Sequence, residues 1–132
     1  MKIFRAYADD KRYFYCEVRV FKTRKAMLQN INQVGFGPTD PRQAGQCSGL
    51  AHYRSSGRIT GKFACMWLNS EDLANNPNEI TSHESTHAAM RYAANKKADL
   101  SNMVGEEVMC YAQGTIQRNV ISGLYRLKVF PC

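Results

Sequence analysis

Asn76-Pro77-Asn78-Glu79-Ile80-Thr81-Ser82-His83-Glu84-Ser85-Thr86-His87 decides how the other residues of this 132-residue chain are read. Asn76 is a helix N-cap, Pro77 stands at the first helical position and Glu79 at the third, so the stretch announces a helix start. Lys96 and Lys97 suit the negative end of the helix dipole, which predicts a helix over about 77–97. His83 and His87 then lie one turn apart on one face. Two neutral imidazoles so placed can hold one Zn²⁺, each nitrogen at about 2.0–2.1 Å. Glu84 stands beside them, where it can take a proton from a metal-activated water. The bland alternative is a surface histidine pair on a polar helix; the capped helix is the context that the H-E-x-x-H pattern needs.

A catalytic zinc usually keeps three protein ligands and one open position. No histidine follows His87, so a third one from downstream is excluded. Carboxylates remain: Asp99, Glu106 and Glu107. The polar connection 98–102 predicts a helical hairpin, whose second helix runs from about Val104 to Ile121 and stops at Gly123. If Glu107 faces the metal, Tyr111 and Gly114 share its face, one as a hydrogen-bond donor and the other as a point of close approach. If Glu106 does, Cys110 and Gln113 replace them. Residues three and four apart serve one face, which favours Glu107.

Working back toward the N-terminus, Met1–Tyr7 reads as a strand and Asp9-Asp10-Lys11 as a turn. Phe14, Cys16, Val18 and Val20 alternate with Tyr15, Glu17, Arg19 and Phe21, the mark of a half-buried strand. Thr23 caps a helix over about Arg24–Gln33, with Met27, Leu28, Ile31 and Val34 as its apolar stripe and Gly35 as its end. Residues 35–49 are rich in Gly and Pro, a long loop fit for a rim or lid. Residues 50–68 read as a hairpin turning at Ser55-Ser56-Gly57. Its second limb, Lys62–Leu68, is apolar on both faces, so it is either buried on both sides or lies along a cleft. Asn69–Leu73 forms a helical turn, and Tyr125–Cys132 is a last strand or a docked tail.

Length and composition fit one domain, residues 1–132, with a single hydrophobic core. No apolar run is long enough for a membrane span, and charges break the N-terminal stretch, so neither a membrane segment nor a signal peptide is expected. Five cysteines, odd in number, widely spaced and without a C-x-x-C, suggest reduced thiols and a cytoplasmic setting. Charge is uneven. Residues 1–62 carry twelve Lys/Arg against four Asp/Glu, or +8, and residues 63–132 six against seven, or −1. Such a basic half is usually a solvated surface, and its other reading is an acidic or nucleic-acid partner.

The His83–His87 motif, followed by Gly105-Glu106-Glu107-Val108-Met109-Cys110-Tyr111, resembles the gluzincin branch of zinc metallopeptidases. It is most similar to very small, often phage-encoded members with an H-E-x-x-H-A helix and a G-E-E-x-x-x-Y helix. The likeness is specific over residues 76–115 and loose before them. It implies a third ligand twenty positions after the second histidine, which is Glu107. Where gluzincins often place Asp or Asn four residues after that glutamate, this chain has Tyr111, so the groups that orient the ligands must differ. The resemblance also implies an α+β, zincin-like fold: a small antiparallel sheet of about four strands packed on the H-E-x-x-H helix, with one helix before it and a Glu-bearing helix after it. The edge strand, here 62–68, would bind an extended peptide by strand addition. The expected function is zinc-dependent peptide hydrolysis with Glu84 as general base. Tyr111, Tyr92 and His52 are candidates for stabilising the oxyanion. A phage-encoded protein of this kind would act in the host cytoplasm on a peptide or protein substrate. Two other classes stand beside it: a zincin-fold binding module without turnover, and a basic nucleic-acid-associated protein.

Overall fold

The alternating run after the first turn becomes a strand because only one of its faces is apolar enough to bury. The computed structural model describes residues 1–49 and 61–130. The first limb and turn of the expected 50–68 hairpin, with His52, lie outside the described residues. Four strands, β1 (Lys2–Tyr7), β2 (Tyr15–Phe21), β3 (Gln46–Gly49) and β4 (Lys62–Asn69), form one sheet in the order β1-β2-β4-β3. Among the described residues there are four helices: α1 (Arg24–Gln33), α2 (Ser70–Asn75), α3 (Pro77–Asn95) and α4 (Met103–Arg126). The fold class is α+β.

The sheet is mixed, which corrects the all-antiparallel expectation. β1–β2 and β3–β4 pair antiparallel, but β2 and β4 pair parallel, with Val18 opposite Met66 and Val20 opposite Leu68. Parallel neighbours need a crossover, and the chain between β2 and β4 supplies it through α1. A second correction concerns β4, which is an interior strand flanked by β2 and β3 and not the edge. Its residues Phe63–Asn69 are all buried, the signature of a strand covered on both faces. The register with β2 slips between Tyr15 and Cys16, so that Phe63 and Ala64 both enter one core.

Two apolar layers follow from this. On one face Phe4, Cys16, Val18, Val20, Met66 and Leu68 meet Ala88, Ala89 and Tyr92 of α3 and Ala112, Ile116 and Val120 of α4. On the other, the smaller α1 places Met27 and Ile31 on Cys65 and Trp67. The Trp67 Nε1 donates to Asn30 Oδ1 at 3.0 Å, so the buried indole has its partner. α1 begins at the expected cap, Thr23 Oγ1 accepting from the Ala26 amide at 3.1 Å, and ends before Gly35 at φ +86°.

α4 runs past Gly123 to Arg126. Gly123 is no stop signal; a Cβ there would lie 2.3 Å from the Phe4 ring, so the glycine lets helix and β1 close together. The tail docks, with the Val129 amide donating to Leu124 O at 2.8 Å and Phe130 packing on the core. Among the described residues no helix is long and apolar enough to cross a membrane. Cys16, Cys47 and Cys65 are buried free thiols and Cys110 is an exposed one.

Candidate metal centre

α3 forms as its sequence predicts, with Pro77 in the first turn and Asn76 at the N-cap, although the Asn76 side chain makes no capping bond. The helix ends at Asn95, so Lys96 and Lys97 lie just past it. Thr81 and Thr86 turn their hydroxyls onto the carbonyls of Pro77 and Ser82, each at 2.8 Å, and so satisfy themselves inside the helix.

The helix brings together the residues that the motif singles out. His83, Glu84 and His87 each offer a ligand atom, and these atoms lie within 4.8 Å of one another. The imidazole centroids are 4.9 Å apart with the planes at 69°. Two nitrogens and a carboxylate so close could hold a metal ion. His87 is held below its ordinary value by burial, by His83 and by Arg91. A lowered value keeps its imidazole neutral, which is the form that binds metal.

Glu84 differs from its neighbours. It is 5% exposed, and burial pushes its carboxyl up to about 7. Gly45, immediately before β3, lies against it: a Cβ there would stand 3.1 Å from Glu84 Oε2 and 3.0 Å from Trp67 O. The end of the glycine-rich loop therefore forms a wall beside Glu84. Asn69, fully buried, fixes that wall. Its Nδ2 donates to Ala44 O at 3.0 Å and to Asp72 Oδ2 at 2.8 Å, while its Oδ1 caps α2 by accepting from the Asp72 amide at 2.9 Å. The sequence reading missed Gly45 and Asn69. The only signal for them was a glycine before a short polar strand and an Asn at a helix start.

The second helix keeps its glutamates apart from the histidine pair in this structure. Glu106 and Glu107 are both exposed and stand outside the group of ligand atoms within 4.8 Å. The inward stripe of α4 is Gly105, Ala112, Ile116 and Val120, with Val108 and Met109 beside it. At 100° per residue, Glu107 lies on the opposite side of the helix from that stripe, and Glu106 flanks it. Tyr111 is 74% exposed, and a Cβ at Gly114 would meet nothing within 4 Å. The shared face of Glu107, Tyr111 and Gly114 thus looks to solvent, which removes the reason for preferring Glu107 over Glu106. The close approach falls instead at Gly105, where a Cβ would stand 1.8 Å from Asp99 O. Of the other oxyanion candidates, Tyr92 directs its hydroxyl to Asp9 Oδ2 at 3.5 Å, and His52 lies outside the described residues.

Part of the basic half is used locally. Arg19 and Lys62 both bind Glu17, at 2.8 and 3.2 Å, Arg24 binds Asp72 at 2.5 Å, and Arg42 binds Asp40 at 2.9 Å. No family model, no curated protein and no solved structure matches this chain.

Proposed function

We propose that the protein is a zinc-dependent metallopeptidase of zincin-like build, with His83 and His87 as metal ligands and Glu84 as general base. The observation that carries this reading is the convergence of two imidazoles and one buried carboxylate within 4.8 Å on a single helix. The carboxylate is what separates a hydrolytic site from a structural one, because a structural zinc needs no base and fills its fourth position with protein. Zinc, when bound, polarises a carbonyl and makes a water acidic near neutral pH. Glu84 would be the group that accepts a proton from the attacking water and hands it to the leaving amine. The wall at Gly45 limits solvent on one side of Glu84 and leaves the carboxylate to face the histidines.

Substrate would lie along β3, which takes the role first given to the 62–68 strand. Among the described residues β3 pairs with β4 on one side only, and it packs beside α3, so an extended peptide added to its other edge would pass the histidine pair. Either carboxylate at the start of α4, Glu106 or Glu107, is a candidate for the third ligand.

The test separates metal from turnover. Purified protein should hold close to one zinc per chain, and Glu84→Gln should keep the zinc while losing cleavage of a mixed peptide library. A protein that binds zinc but cleaves nothing is a binding module. A Glu84→Gln variant that loses the metal makes Glu84 a ligand and overturns its role as base.

A further inference from the structure

Gly45 touches Glu84, and four residues on Gly49 touches Arg91: a Cβ at Gly49 would stand 3.0 Å from Arg91 Cδ, 3.5 Å from Nε and 3.6 Å from Cγ. From Gly45 to Gly49 the chain advances about 13 Å as strand, and from Glu84 to Arg91 about 10 Å as helix. β3 and α3 therefore run side by side in the same sense, and Arg91 stands toward the far end of that contact from Glu84. His83, His87 and Arg91 follow one another at intervals of four, so they share one face of α3.

Arg91 is not held there by any described acid. It enters no ion pair and no hydrogen bond among the described residues, and its helical neighbours three and four positions away are His87, Ala88, Ala94 and Asn95. Its stem lies against Gly49, where a side chain would crowd it. A charged guanidinium beside β3, without an ion-pair partner among the described residues and one turn beyond a histidine of the site, suits an anion carried on an extended chain. Its planar fork matches a carboxylate through two parallel N–H···O bonds.

We propose that Arg91 anchors a carboxylate of the peptide that lies along β3, and so makes the site selective for peptides with an acidic group near the bond cleaved. This rests on the reading of the His83–His87 site as peptide-binding. The helical rise from His87 to Arg91 is about 6 Å, which corresponds to roughly two residues of extended chain. The carboxylate is thus expected about two residues from the scissile bond, and either an Asp or Glu side chain or a free C-terminus supplies it.

Zinc-loaded Glu84→Gln protein, which does not consume its ligand, serves for the measurement by fluorescence anisotropy. Three labelled peptides share one neutral core sequence: one capped and neutral, one with a Glu side chain two residues from the centre, and one with a free C-terminal carboxylate at that point. At least one acidic peptide should bind about tenfold tighter than the neutral one. Arg91→Met should abolish that preference while changing the neutral peptide less than twofold, and Arg91→Lys should restore part of it. Which acidic peptide responds identifies the source of the carboxylate. Equal loss for all three peptides, or no preference in the parent, overturns the anchor. Zinc content of each variant is read in parallel. A chain that holds no zinc sinks the peptidase reading, and an acidic preference that still depends on Arg91 then leaves the anchor standing.

Discussion

Helices α3 and α4 each present ionisable groups one turn apart, and they do so to opposite effect. α3 points its apolar side at the sheet, and this same orientation turns Glu84 under the Gly45 wall and brings the two imidazoles beside it. α4 also has an apolar side, but it is set by Gly105, Ala112, Ile116 and Val120, which leaves Glu107 and Tyr111 in water. Residues that satisfy a motif need only local helix geometry to meet. Residues drawn from a second helix need that helix to be rotated correctly, and rotation is fixed by packing and not by spacing.

The sharpest test sets the two helices against each other. His87→Ala should weaken zinc binding at least about 100-fold, more than the loss of an outer partner costs. Measured by chelator competition at pH 7.5, Glu107→Gln should weaken it far less, with Glu106→Gln the larger of the two glutamate effects because Glu106 flanks the inward stripe. A Glu107→Gln loss as deep as that of His87→Ala would show that α4 turns its outer face to the metal on binding, and the contrast between the helices would fall.

Next in size is the cost of keeping Glu84 buried. Its ordinary value is 4.5 and its value in the fold about 7, so the folded chain holds this proton more tightly than the unfolded one. Stability therefore declines as pH rises from about 4.5 to about 7, and the full penalty is present above that. The shift corresponds to roughly 3 kcal/mol. With metal chelated, Glu84→Gln should be more stable than the parent at pH 8 by roughly 3 kcal/mol, with the two alike below pH 4.5, as read by urea unfolding. A parent as stable as the variant at pH 8 would mean that α3 does not keep its carboxylate out of water.

Much of the first half of the fold was legible. Thr23, the 27-28-31 stripe and Gly35 delimit α1 because caps and periodicity are local. The H-E-x-x-H group was legible for the same reason. The partner of β2 was not: the Lys62–Asn69 run is apolar on both faces, which marks an interior strand but says nothing of parallel or antiparallel pairing. β3 hid inside a glycine-rich loop, because Gln46–Gly49 is short and polar and is a strand only by its pairing with β4. The face of α4 was not legible, because i, i+4 spacing puts Glu107, Tyr111 and Gly114 on one side of the helix without saying which way that side turns.

The glycines of α4 give the smallest effects and the most direct check on that rotation. Gly105 sits where a Cβ would meet the Asp99 carbonyl at 1.8 Å, a backbone atom that cannot step aside. Gly105→Ala should therefore cost about 1–3 kcal/mol as the helical hairpin opens to make room. Gly114 meets nothing, so alanine there adds only helix propensity, and Gly114→Ala should stabilise the chain by about 0.5–1 kcal/mol. Thermal unfolding of the two variants reads opposite signs if the face bearing Glu107, Tyr111 and Gly114 is the outer one. Two losses of similar size would mean that this face packs against something after all, and Glu107 would again be the better-placed glutamate for the metal.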